Sequence, residues 1–395
     1  MVKTDAQSPN KNFVFILLFL GYLVSFLDRL IMNIAIVPIG EEFQLSPTAT
    51  GTVISTFFLA YAIMQIPGGL IADRFGAKKV IIFSIIIWSI FTGLTGIAWS
   101  FTALIAIRFL FGLGEGGYPA ACGKAIAEYF PKEERGKAQS ILMSSNLLGG
   151  IITPLLATPL LIWLGWRHLF LAIGVIGILI GLLFWKYIQM PIQSAESSDP
   201  KSSNKGNLSS LLRSLEMWKL LLLWLGISIA GGGINSWMPT YMVKVHNLDL
   251  VSAGMLASIP ALAGVLATVA GGWLLGWFVS KVKLYLVGNA ILYVLFLLLT
   301  FFAPTIGLVY TFGSVATVFY SFIFSAVFAL PHKIFDKSVL GFAIGLVTLG
   351  SVLGGFIAPI IMGVLITTFN GSYNGAFGFL VICVCISILI GLTMK

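Results

Sequence analysis

Apolar runs of about 20 residues recur along this chain between short polar breaks, the length an α-helix needs to cross the hydrocarbon of a bilayer. Twelve such spans can be marked, near 13–36, 48–70, 79–98, 101–123, 137–161, 167–189, 217–240, 251–275, 283–302, 305–329, 339–366 and 373–394. One long polar stretch, 190–216 (MPIQSAESSDPKSSNKGNLSSLLRSLE), divides them six and six. Its Ser, Pro, Asn and charged residues have the composition of a solvated linker. The pattern predicts an all-α membrane protein of twelve transmembrane helices in two six-helix bundles. Residues 1–189 form the first bundle, 190–216 a cytoplasmic linker and 217–395 the second bundle.

Composition narrows the class. Of the 395 residues 58% are hydrophobic and 9% charged, against about a quarter charged in soluble domains. The lipid bilayer is the solvent that fits. The net charge of +9 does not point to nucleic acid, because the basic residues are not gathered on one soluble face. Lys3, Lys11, Arg74, Lys78, Lys79, Lys132, Arg135, Lys137, Lys281, Lys283, Lys333, Lys337 and Lys395 fall on one side, and only Arg167 and Lys244 on the other. The positive-inside rule then puts both termini in the cytoplasm. Residues 1–12 lead into a span too long for a cleaved signal peptide, so that helix is expected to be retained. Cys122, Cys383 and Cys385 lie inside apolar runs, which argues against a disulfide framework.

Four charges interrupt the apolar runs, all in the first half: Asp28 and Arg29 in span 1, Arg108 and Glu115 in span 4. An ionisable side chain inside a membrane is costly and marks a functional site by default. With alternating helix directions, Arg108 lies about 12 Å below the outer edge and Asp28 about 15 Å, so these two can pair. Glu115 lies on the same face as Arg108 and about 10 Å deeper. Gly112, Gly114, Gly116 and Gly117 are expected to keep that surface thin and leave room for water or ligand. With both acids ionised the charges cancel, and one proton makes the site attractive to an anion. The expected roles are proton coupling for Asp28 and Glu115, and anion binding for Arg29 and Arg108, since arginine stays charged and grips carboxylates with a two-pronged fork. The alternative is that the four are ion pairs holding spans 1 and 4 together.

An internal repeat crosses the linker: Gly68-Gly69-Leu70-Ile71-Ala72-Asp73-Arg74-Phe75 after span 2 matches Gly271-Gly272-Trp273-Leu274-Leu275-Gly276-Trp277-Phe278 at span 8. Such parallel repeats are typical of rocking carriers. Residues 68–79, GGLIADRFGAKK, resemble the cytoplasmic loop signature of the major facilitator superfamily. Gly68 and Gly69 would let helices approach, Asp73 would face the positive end of a neighbouring helix, and Arg74, Lys78 and Lys79 would pair with cytoplasmic acids. The resemblance implies that Gly69, Asp73, Arg74 and Gly76 form a conformational latch. The second copy lacks the acid and base. Ser25-Phe26-Leu27-Asp28-Arg29, Arg108 through Ala120, Asn146 through Gly150 and Ser236 through Tyr241 resemble the anion:cation symporter family within that superfamily. That likeness implies proton-coupled symport of a small organic anion, a carboxylate or sugar acid.

Neutral candidates for the rest of the ligand are Tyr61 and Gln65, four residues apart on one face, with Asn146, Asn235, Trp237 and Tyr241. Packing explains the aromatics and helix–helix hydrogen bonding explains Asn146 comparably well. Thr348 and Ser351 stand where sugar-acid relatives usually carry asparagines, which favours a smaller or less hydroxylated carboxylate. Lys124 is expected to snorkel. His168, His246 and His332 sit near helix ends without metal spacing. No phosphate loop, nucleophile or metal motif is present, so neither an enzyme nor a cofactor is expected. The reading is a secondary carrier in the bacterial inner membrane, working as a monomer with protons and an organic anion by alternating access. A drug/proton antiporter of the same fold is the alternative, disfavoured by the two arginines, and a transporter-like sensor would need a larger soluble domain.

Overall fold

The computed structural model describes residues 11–131, 134–187, 213–278, 281–331 and 340–394. The expected linker as far as residue 212, together with Lys3, Lys132, Lys333, Lys337, Lys395 and His332, lies outside the described residues. The regular elements of the first half are α1 (Lys11–Glu42), α2 (Pro47–Phe75), α3 (Ala77–Gly96), α4 (Phe101–Gly116), α5 (Tyr118–Tyr129), α6 (Arg135–Ile152), a π-helical turn (Thr153–Ala157) and α7 (Thr158–Tyr187). The second half contains α8 (Leu215–Lys244), α9 (Leu250–Trp277), α10 (Val282–Phe301), α11 (Ile306–Ala329), α12 (Leu340–Thr368) and α13 (Asn374–Thr393).

Among the described residues, ten continuous helical segments are long and apolar enough to cross a membrane. Two local features reconcile them with twelve spans. Span 4 is broken at Gly117, where Pro119 in the first turn of α5 has no N–H to continue the ladder, so α4 and α5 are each short. The 51-residue apolar segment Lys137–Tyr187 holds two spans, because the backbone turns at Gly165 with φ 74 and ψ 159, a conformation essentially confined to glycine. The helices outrun the apolar windows; α1 has 32 residues. Hydropathy marks only the hydrocarbon slab, and polar caps finish the ends. Ser100, Ser214, Asp249 and Thr305 each accept a bond from a backbone N–H of the first turn, leaving fewer orphan donors.

The chain forms two compact units. The first is drawn from Met1–Ile31, Leu59–Gly150 and Leu160–Ser198, the second from Met32–Phe58, Ile151–Pro159 and Asp199–Lys395. In the first, α3 packs along α4 and α5. Glycines set the spacing: a Cβ on Gly68 would overlap the Gly117 backbone, one on Gly116 would stand 2.7 Å from Met64 Cβ, and one on Gly114 2.7 Å from Ile87. The glycines of 114–117 are therefore filled by α2 and α3, and do not open the space expected from the sequence. Gly69 is only in ordinary contact, 3.9 Å from Ala120.

In the second unit α8 packs on α12 and α13, and α11 on α9 and α10. Trp224 anchors it, its ring 5.7 Å from Tyr320 and 5.8 Å from Phe324; such pairs add about 0.5–1.5 kcal/mol beyond area burial. The repeat seen in sequence has a structural counterpart. Both α2 and α9 continue past their glycine pair, and in each pair the first glycine meets a neighbour while the second is loose: a Cβ on Gly271 would lie 3.0 Å from Phe322, and nothing is within 4 Å at Gly272. Among the described residues the buried ionisable side chains Asp28, Arg108 and Glu115, each 1% exposed, all belong to the first unit. The buried polar side chains of the second are hydroxyls of Ser and Thr.

Candidate functional site

The acids and arginines of α1 and α4 meet, with one pair that depth alone did not give. Arg29 Nη2 lies 2.5 Å from Glu115 Oε1. Ser25, one turn earlier on α1 and on the same face, donates to that same oxygen at 2.6 Å. Side chains on a helix lean toward its N-terminus, so Arg29 reaches back toward Ser25 and down to the level of Glu115. Its guanidinium also stacks 4.8 Å from the Tyr61 ring centroid and 5.5 Å from Phe26, two cation–π contacts. Tyr61 is in turn hydrogen-bonded to Gln65. The expected face of α2 is thus part of the site.

Asp28 is engaged from α3. The Thr92 hydroxyl contacts Asp28 Oδ2 and also lies 2.9 Å from the Trp88 carbonyl. A hydroxyl has one proton and two lone pairs, so it can donate to an ionised Asp28, or donate to Trp88 while accepting from a protonated Asp28. The Arg108 guanidinium stands 4.8 Å from the Phe111 ring centroid. The two arginines differ in access. The Arg29 side chain is 20% exposed, whereas Arg108 is 1% exposed. Asn146 joins from α6: three residues on, a Cβ at Gly149 would sit 3.0 Å from Phe26, so this face of α6 lies on α1, and the Asn146 Oδ1 is buried without a hydrogen-bond partner.

The second-unit candidates are held by internal bonds. Trp237, 1% exposed, donates through Nε1 to the Pro359 carbonyl at 3.2 Å. Ser351 accepts from Trp224 Nε1 at 2.7 Å, and Thr348 donates to the Ile344 carbonyl at 2.9 Å. Tyr241 packs edge-on against Phe377, with centroids 4.9 Å apart. At the loop after α2, Gly76 adopts φ 85 before α3, where a side chain would be strained. Asp73 is 78% exposed, and the cation beside it is Lys124, 3.5 Å away. Lys124 donates to the Ala72 and Asp73 carbonyls at 3.0 and 3.2 Å, completing the negative end of α2. Among the described residues, Arg74, Lys78 and Lys79 have no ion pair. The sequence reading missed Ser25, Thr92 and Trp224; a hydroxyl in mid-span at residue 92 was the available signal.

Ionisable groups kept inside an apolar helical bundle mark substrate or ion pathways and proton relays by default. The family model for the Major Facilitator Superfamily matches residues 18–290, and the chain belongs to that superfamily. It is 31% identical to a probable sulfoacetate transporter of Cupriavidus necator, over 91% of this chain and 87% of the relative. It is 28% identical to a probable galactarate/D-glucarate transporter of Escherichia coli, over 98% and 93%, and 28% identical to a hexuronate transporter of Bacillus subtilis, over 94% and 91%. The fold matches an inward-facing, unoccupied crystal structure of a bacterial homologue of the human lysosomal transporter Spinster, with TM-score 0.85, 21% identity and 97% of each chain covered.

Proposed function

We propose that the protein is a proton-coupled symporter of a small organic anion, working by alternating access. The observation that carries this is the Arg29–Glu115 pair: a partly exposed guanidinium held by a buried carboxylate within a membrane span. A proton on Glu115 weakens that hold, and Arg29 then takes the carboxylate or sulfonate of the substrate in its place. Arg108 stays with Asp28, and Thr92 serves both protonation states of that acid. Tyr61, Gln65 and Asn146 contact the remainder of the ligand. Trp237, Tyr241, Thr348 and Ser351 set specificity through the shape of the second unit's packing. The three relatives named above are all described as carriers of organic acids, which supports the class. The absence of asparagines at 348 and 351 favours a small acid such as a sulfonate or short carboxylate.

The same reading places the chain in a bacterial inner membrane as a monomer, both termini cytoplasmic, with residues 1–189 and 217–395 as the two bundles around the 190–216 linker. Gly69, Asp73, Arg74 and Gly76 form the latch on the cytoplasmic side. The test is proton uptake in liposomes loaded with purified protein, on adding sulfoacetate, D-glucarate or a hexuronate. External alkalinisation with one of them is expected. Silence for all three, with proton release on adding lipophilic cations, would replace symport by drug/proton antiport.

A further inference from the structure

A cavity of about 450 Å³ lies within the second unit, at the end opposite the Lys-rich loops. Its volume falls in the range of small-molecule sites, about 300–1,000 Å³. It is walled by Trp237 and Tyr373, and its polar lining is Lys244, Thr240, Thr50, Glu41 and Gln44. Thr240 is 9% exposed and its hydroxyl has no hydrogen-bond partner. Lys244 Nζ lies 2.5 Å from Glu41 Oε1, the two side chains being 49% and 58% exposed.

The walls are fixed in place. Thr48 Oγ1 bonds Thr367 Oγ1 at 2.8 Å, and a Cβ on Gly51 or Gly363 would overlap the carbonyl of Pro359 or Pro47. Close backbone crossings of this kind preorganise a site and reduce the ordering cost of binding.

We infer that this cavity is a second, peripheral site for a small organic anion, in which the ligand's carboxylate or sulfonate displaces Glu41 from Lys244 and accepts from Thr240, with its carbon body against Trp237 and Tyr373. An ion pair as exposed as Glu41–Lys244 contributes little, so exchanging one anion for another there costs little, while the buried Thr240 hydroxyl gains a partner it lacks. The binding does not rest on the symport reading.

The test uses full-length protein with Leu45→Cys on the cavity wall and the three native cysteines replaced by serine. The readout is labelling by a membrane-impermeant maleimide, with sulfoacetate or D-glucarate as protecting anion. Protection is expected. Glu41→Gln removes the competing carboxylate and should lower the protecting concentration about tenfold; Lys244→Gln should raise it about tenfold, and Lys244→Arg should restore it. The opposite signs are diagnostic, because a simple ion-pair clasp would shift both substitutions the same way. Shifts of the same sign, or no protection in either the parent or Glu41→Gln, would overturn the inference. Protection without proton flux would sink the symport reading and leave this one standing; flux without protection would do the reverse.

Discussion

Replacing Glu115 by Gln keeps the shape of the side chain and removes its charge. In the native chain one oxygen, Oε1, receives both Ser25 at 2.6 Å and Arg29 at 2.5 Å. A hydrogen bond to a charged group is worth about 1.5–3 kcal/mol, and one between neutral partners about 0.5–1.5 kcal/mol. The amide of Gln still accepts from the charged Arg29, so that bond stays within the range for a charged partner and what is lost is the ion pair. A weakening of about 1.4 kcal/mol is close to tenfold in affinity. Native protein should bind sulfoacetate less tightly as pH rises, because ionised Glu115 competes with the ligand for Arg29. Glu115→Gln should bind about tenfold tighter at the alkaline end and with a flatter pH profile. Calorimetric titration of purified protein across pH measures this directly. Proteoliposomes add a second readout: uphill accumulation is lost and anion exchange persists. A native affinity that does not depend on pH, or an undiminished slope in Glu115→Gln, would refute the reasoning.

Thr92→Val is close in volume but removes the hydroxyl that contacts Asp28. Proton-driven uptake should fall while exchange survives, and Thr92→Ser should restore uptake; a fully active valine variant counts against a role for this hydroxyl. Gly68→Ala places a methyl into the Gly117 backbone and should cost about 1–3 kcal/mol as overpacking, whereas Gly69→Ala should be near neutral, as read from thermal unfolding in detergent. Equal melting temperatures for the two would show that the crossing is softer than described. Gly165→Ala forces a side chain into φ 74 and ψ 159, at a cost of about 1–3 kcal/mol in the same assay.

The spans and the restriction of internal charge to the first half were legible because both are one-dimensional signals: a bilayer imposes a length, and a charge in an apolar run stands out. The break of span 4 was not, since Gly117-Tyr118-Pro119 lies inside a continuous apolar window and only the backbone shows the ladder stopping there. Depth counting placed Arg108 level with Asp28. It did not anticipate Arg29 with Glu115, because a reach of several ångströms along the helix belongs to the arginine side chain and not to its Cα. Glycines misled for a related reason. A missing Cβ reads equally as space for ligand or space for a neighbour, and at 114, 116 and 117 the neighbours fill it. Trp237 was open to reading as packing or as a ligand contact, and only the structure shows its Nε1 on the Pro359 carbonyl.

The two acids and two arginines of α1 and α4 sum to zero, which has an electrical consequence. An empty carrier with a neutral interior returns across the membrane without sensing voltage, a force worth about 2.3 kcal/mol per elementary charge per 100 mV. In the proposed symport a monovalent anion with one proton would leave it neutral, and the pH gradient alone would drive the cycle. A divalent acid with a single proton would leave one negative charge to be pushed outward by an inside-negative potential. Protonating Asp28 as well as Glu115 cancels it. The number of acids that titrate per turnover therefore sets the valence of the cargo that can be concentrated against the voltage.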